Sequence, residues 1–448
     1  MEQQKSKHSD FSAVFYMAIP ILAELLLRML LGNVDQWMLS RYSPTAVAAV
    51  GNANQILNMG IIVLDMVCAA TTIILSQFIG AKRTQEVQKL YTLSLAIVAL
   101  LSVLMSAILV LTRFQFFRWM KIPTSLVPEA EVYLIIVGAT LCFQGFFMAM
   151  SAVLRSHAMM KEIMIVSMLM NVVNVLGNFV LINGYGGLPR LGVAGAAIST
   201  ALSRLIGAGV LLVMMTKRIG IRFDWTLVRH PDCRLLKKIF HVGVPAAGDS
   251  ISYTCMKMVI LTFVNTYGAL AVTSKVYLES MLPFVYIYGS AIATATQIRV
   301  GYCVGAGEAE RATSLVRKSI FSAVLVSLIL STSIYICSDA VFGVFTADPE
   351  ILHFVRQVLI VDLFLEVGRS VNMIMIRSLL GAGDTSFPLY CAVCSMWGVA
   401  VPLAFILGSV CGMGLVGVWI GLAADEWCRA LAFILRWKSG RWKTKKIL

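Results

Sequence analysis

Asp362, Glu366 and Arg369 stand at i, i+4 and i+7 in Asp362-Leu-Phe-Leu-Glu366-Val-Gly-Arg369-Ser-Val-Asn372, a stretch otherwise apolar enough to cross a membrane. On a helix these spacings place all three on one stripe. Charge facing lipid costs several kcal/mol, so the stripe must face protein or a water-filled cavity. Glu366 beside Arg369 then has two readings: an ion pair that proton binding opens, or a permanent salt bridge between helices.

Other groups share this character. Near the start of the chain Glu24, Arg28 and Asp35 fall within about 40° of one another on a helical projection. Glu24 four residues before Arg28 is the favourable order for an ion pair, whereas Asp35, two turns from Arg28, is less obviously compensated. Asn171, Asn174 and Asn178 form a polar stripe at i, i+3 and i+7, and Ala196 and Thr200 lie one turn apart in Gly192-Val-Ala-Gly-Ala-Ala-Ile-Ser-Thr200. Such residues serve as hydrogen bonds and close packing between helices, or, with Asp35, as oxygen ligands for a hard cation. Asp249, Lys257, Lys275 and Glu279 follow in the second half, and Asp425, Glu426 and Arg429 near the end. Ten cysteines are spread through apolar segments without disulfide or zinc spacing, five histidines lack ligand spacing, and no phosphate-binding Gly-x-x-x-x-Gly-Lys-Ser/Thr stretch occurs. These absences argue against an ATP-driven machine and against a membrane-embedded enzyme. No cofactor is expected, and no metal beyond a sodium site.

The elements that position these residues are membrane helices. Of 448 residues, 59% are hydrophobic and 13% charged, and the mean hydropathy is +0.83, too apolar for a soluble domain. Runs long enough to cross about 30 Å of hydrocarbon lie near 11 to 38, 45 to 76, 90 to 112, 131 to 153, 163 to 183 and 192 to 216, and again near 239 to 263, 270 to 304, 319 to 338, 354 to 376, 386 to 408 and 414 to 435. The expected fold is all-α and polytopic, with twelve spans. The first run, carrying Glu24, Arg28 and Asp35, is read as a retained helix and not a cleaved leader. The net charge of +14 does not indicate nucleic acid. Lysine and arginine concentrate at both ends (Lys5, Lys7; Arg436, Lys438, Arg441, Lys443) and in alternate loops, including the 217 to 238 stretch with Pro231. That asymmetry places both termini and the central loop in the cytoplasm, with the basic stretch resting on anionic headgroups.

The two halves repeat. At an offset of 225 residues Pro20 meets Pro245, Tyr42 meets Tyr267, Ala70-Thr71 meets Ala295-Thr296 and Gly80-Ala81 meets Gly305-Ala306. At an offset of 222, Arg155-Ser156 meets Arg377-Ser378, Gly192 meets Gly414, Gly195 meets Gly417 and Gln144 meets Glu366. Six spans return the chain to its starting side, so this is a parallel duplication about an axis along the membrane normal. The expected organisation is a lobe over 1 to 216, a linker over 217 to 238, a lobe over 239 to 436 and a basic tail over 437 to 448, with a cleft between lobes where a substrate is alternately exposed.

Ala18-Ile-Pro20 with Val34-Asp35, Gly80-Ala81-Lys82, Leu154-Arg155 with Asn174 and Asn178, Gly192 to Thr200, Gly243-Val-Pro245, Ala295-Thr-Gln297 and Arg377 to Asp384, in that order, resemble the multidrug and toxic compound extrusion family over nearly the whole chain. The resemblance implies a monomeric two-lobed antiporter of the plasma membrane, V-shaped around a central cavity. It would export small amphipathic, often cationic compounds in exchange for protons or sodium ions. Position by position it implies ion-coupling roles for Asp35, Asn174, Ala196, Thr200 and Glu366. Asn178 stands where many members have an aspartate, and Lys257 lies near a position where some carry a glutamate, so either known site pattern is incomplete here. We assign Asn178 to the coupling set, and Gln144, Lys257, Glu279, Arg369 and Asn372 to the substrate cavity, where Lys257 and Arg369 also suit anionic or zwitterionic cargo. The alternative is a flippase for a lipid-linked precursor in the same superfamily, whose cavity would hold fixed cations for a diphosphate.

Overall fold

The computed structural model describes residues 10–187, 189–220, 223–230, 232–445 and 447; Lys5, Lys7 and Pro231 lie outside them. The first half contains α1 (Asp10–Tyr42), α2 (Pro44–Gly80), α3 (Thr84–Leu111), the short α4 (Arg113–Trp119), α5 (Val127–Ala139), α6 (Leu141–Ser156), α7 (Met160–Asn183) and α8 (Val193–Arg218). A one-turn helix α9 (Trp225–Arg229) follows, capped by Asp224, whose carboxylate accepts the Thr226 N–H at 2.9 Å and the Thr226 hydroxyl at 2.6 Å. Those donors hold the Asp224 carboxyl below its ordinary pKa. The second half contains α10 (Cys233–Asn265), α11 (Ala269–Met281), α12 (Pro283–Ala306), α13 (Ala309–Ile336), the short α14 (Ser338–Gly343), α15 (Pro349–Ala382), α16 (Ser386–Ser395), α17 (Val401–Phe405) and α18 (Gly414–Lys438). Among the described residues there is no strand.

Seven of these helices, or nine when each bent pair is taken as one span, are long and apolar enough to cross a bilayer among the described residues. The long helices α10, α15 and α18 fall outside that set, and each carries several of the ionisable residues singled out above. Counting them, the spans number twelve, six in each half. Large apolar side chains such as Leu100, Leu111, Ile336 and Leu435 point outward, as a hydrocarbon solvent permits.

Two spans are broken, for different reasons. The α11–α12 pair bends by 42° at Leu282-Pro283, where proline removes a backbone donor; its repeat counterpart in the unbroken α2 is Asn58. The α5–α6 pair bends by 48° at Thr140, whose hydroxyl donates to the carbonyl of Ile136 at 2.8 Å, replacing part of the lost ladder. The counterpart of Thr140 is Asp362, inside the continuous α15. That helix opens with Asp348 accepting the Glu350 N–H at 2.9 Å and Pro349 in its first turn, and closes on Gly383 at φ 92°.

The chain folds into two compact units. One comprises Ala23–Ile79 and Arg83–Gly243; the other comprises Val244–Leu448, the residues up to Leu22 and the Gly80–Lys82 turn. Within the second, Asp10 at the start of α1 pairs with Arg299 at 2.9 Å and also with Arg311. Within the first, Glu24 pairs with Arg28 and Arg155, each at 3.0 Å. The duplication is visible as one repeated contact: Thr71 donates to Ser94 at 2.8 Å on α2 and α3, and Thr296 donates to Ser319 at 2.8 Å on α12 and α13, all four buried. Glycines repeat too, Gly195 lying against the Leu181 backbone and Gly417 against that of Leu407.

Hydrogen bonds between membrane helices contribute about 0.6 kcal/mol on average. Thr71→Val and Thr296→Val should therefore each lower thermal stability in detergent by a comparable small amount, and the double variant by about their sum. A large loss from one and none from the other would mean that the two contacts are not equivalent.

Candidate functional site

In the first half α1, α7 and α8 converge on a chain of side-chain amides. Asn178 Nδ2 donates to Asp35 Oδ1 at 2.8 Å and lies 3.4 Å from Asn174 Oδ1. Asn174 Nδ2 donates to Thr200 Oγ1 at 3.3 Å, and Thr200 donates to the Ala196 carbonyl at 2.9 Å. Ser199, which the sequence reading did not single out, ties the helices together by donating to the Asn174 carbonyl at 2.7 Å. Asn174 and Asn178 are buried and Asp35 half-buried. Asn171, the first residue of the stripe, is half-buried and outside this chain of bonds. An aspartate at 178 would present a second carboxylate to Asp35; the amide presents a donor. Its other end, Oδ1, is buried without a hydrogen-bond partner, and a free acceptor beside a carboxylate suits a sodium ion or a protonated group.

Arg204 was missed, although it follows Thr200 by one turn on α8. Its Nη1 is buried without a hydrogen-bond partner, and its electrostatic neighbour is Tyr133 of α5, which also interacts with Thr200 and Asn54. The spacing Ala196, Thr200, Arg204 was available as a signal; that Tyr133 faces the same stripe from a distant helix was not. Gln144 sits half-buried on α6.

In the second half α15 and α18 build a denser cluster. Glu366, fully buried, pairs with Arg369 and accepts from Ser327 of α13 at 3.3 Å. Arg369 reaches on to Glu426 at 3.8 Å and lies over the Tyr286 ring at 5.2 Å. Glu426 accepts from Asn372 at 2.5 Å and pairs with Arg429 at 3.2 Å. Arg429 also pairs with Asp425 at 2.5 Å, and Ser395 donates to Asp425 at 2.6 Å. Asp362 accepts from Trp419 Nε1 at 3.0 Å and leaves Oδ2 unpartnered. Glu366, Asp425 and Glu426 thus share the guanidinium groups of Arg369 and Arg429, while Asp362 has Arg369 only as an electrostatic neighbour. Lys257 is outside this group. Its carboxylate is Glu279 at 3.1 Å, which also holds Lys275 at 2.6 Å, so the cation in contact with Glu366 is Arg369.

The MatE family model matches this chain twice, over residues 20–180 and 245–406. The chain belongs to the MATE family. It is 37% identical over 442 residues to a protein of Bacillus subtilis described as an uncharacterized transporter, YisQ, covering 99% of this chain and 97% of that one. A Thermotoga maritima protein described as probable multidrug resistance protein NorM is 28% identical over 437 residues, covering 96% and 93%. Among solved structures, the Vibrio cholerae MATE transporter VcmN in its bent form superposes with a TM-score of 0.89 at 19% identity, covering 97% of each chain. The chain is therefore a multi-pass membrane transporter and not an enzyme, and the twelve-span MATE fold is the one expected from its repeats.

Removing Arg429 should strand Asp425 in a low-dielectric interior and leave Glu426 only its longer contact with Arg369. Uncompensated buried charge costs about 3–5 kcal/mol, so Arg429→Met should melt well below the parent in detergent at pH 8. The deficit should shrink as the pH is lowered, because a neutral carboxyl no longer needs the guanidinium. Equal melting of variant and parent at pH 8 would show that Arg429 does not balance this cluster.

Proposed function

We propose that this chain exports small amphipathic compounds across the plasma membrane by alternating access, driven by protons or sodium ions returning through one carboxylate site in each half. Asp35, with Asn174, Asn178, Ala196 and Thr200, forms the first site and Glu366 the centre of the second. The observation that carries the reading is the charge imbalance in the second half. Three buried carboxylates pair with two guanidinium groups, and a fourth, Asp362, is buried beside them on Trp419; a membrane interior does not hold the surplus negative charge without protons or bound cations. Taking up and releasing those ions changes which acid Arg369 pairs with, and so can bias one packing of the α15–α18 pair over another.

Support comes also from the relatives described as probable multidrug resistance proteins. The lysine and arginine asymmetry supports cytoplasmic termini, and the repeat supports lobes over 1 to 216 and 239 to 436 joined by the basic linker. The protein acts as a monomer, with a small-molecule substrate and the bilayer as its only partners.

The test is efflux from proteoliposomes under a sodium gradient and a proton gradient imposed separately, with Asp35→Asn and Glu366→Gln beside the parent. One gradient should drive transport, and each variant should lower the coupled rate by at least about tenfold. Coupled efflux at the parent rate in both variants would end this reading.

A further inference from the structure

Beside its acidic cluster the second half holds a small group of net positive charge, in which Lys257 is exposed and Lys275 buried. Lys257 of α10 and Lys275 of α11 share one carboxylate, Glu279, each ammonium taking a different oxygen, at 3.1 and 2.6 Å. Two cations on one anion leave a net positive charge. Lys257 is eight residues before the end of α10 at Asn265, about 12 Å along the helix axis, and its side chain is 49% exposed while that of Glu279 is 37% exposed. An exposed ammonium at that depth belongs in a water-filled cavity and not against lipid. Tyr253, one turn before Lys257 and 39% exposed, and Tyr286 both lie within electrostatic reach of the Lys257 nitrogen. The next carboxylate along α10, Asp249, lies two turns towards the cytoplasm and has Arg429 and Arg377 as its electrostatic neighbours. Arg369, which lies over the Tyr286 ring at 5.2 Å, is engaged by Glu366 and Glu426.

We propose that Lys257 and Lys275 form a cargo site for amphipaths bearing a carboxylate or another monoanionic group, with Glu279 as a built-in counter-ion that the cargo's anion displaces. Glu279 shows the geometry required, since one carboxylate already bridges both ammonium groups. A cargo carboxylate taking over Lys257 leaves Glu279 on Lys275, so no charge is stranded. The Tyr253 and Tyr286 rings supply apolar faces for the rest of the molecule. A cationic amphipath meets repulsion from the same pair. The inference rests on the exporter reading and names its substrate class.

The experiment uses one xanthene dye in two forms, the free carboxylate and its methyl ester, which differ in charge but hardly in shape. Fluorescence anisotropy with the purified full-length protein should show the carboxylate form bound about tenfold more tightly than the ester. That ratio should fall to about one in Lys257→Gln and in Lys275→Gln and persist in Lys257→Arg, while Glu279→Gln should tighten binding of the carboxylate form. Size-exclusion profiles and melting curves identify any variant that fails to fold. Preference for the ester, or a ratio unchanged in both folded lysine-to-glutamine variants, would overturn the inference. Transport separates the two readings. Ion-driven export of the ester alone keeps the exporter and removes the anionic site, whereas lysine-dependent binding of the carboxylate with no movement under either gradient keeps the site and removes the exporter.

Discussion

Every ionisable side chain in a membrane span must find a partner, a proton or water, and the interior of this protein is arranged around that requirement. Glu24 shows the simplest solution, a carboxylate held between Arg28 and Arg155. Asp35 shows a second, in which a neutral amide supplies the donor and, among the described residues, no ion pair forms. The α15–α18 cluster shows a third, in which carboxylates outnumber the guanidinium groups they pair with. Lys257, Lys275 and Glu279 reverse that sign, with Lys257 exposed and Lys275 buried. These are distinct electrostatic states of one scaffold, and what a transporter moves depends on which it presents to its cavity.

The duplication explains how one scaffold came to carry such different sites. The packing positions are kept: the Thr–Ser hydrogen bond between the second and third spans of each half has the same length in both, and glycines at equivalent positions meet neighbouring backbones. The polar positions have diverged. Thr140, which satisfies a carbonyl freed by a bend, corresponds to Asp362, which lies in an unbroken helix and accepts from Trp419. Gln144 corresponds to Glu366. Packing is fixed by steric contact that few side chains can satisfy, whereas a polar position inside a bundle tolerates any residue whose hydrogen bonds its neighbours complete.

Much of this was legible before any coordinates. Span lengths, the repeat offsets, the alternation of basic loops and the pairs Glu24–Arg28, Glu366–Arg369 and Asp425–Arg429 are local or periodic properties, governed by helical geometry and by the cost of burying backbone polar groups in lipid. They determined a twelve-span, two-lobed transporter fold and which residues on each helix share a face. What they did not determine is which faces meet. That Asp35 finds an amide from α7, that Arg369 joins Glu366 to Glu426, that Lys257 takes Glu279 and that Arg204 lies beside Tyr133 are contacts between residues far apart in the chain. Their partners are set by how rigid helices pack, and helix packing depends on the shape of whole surfaces, which no local spacing encodes.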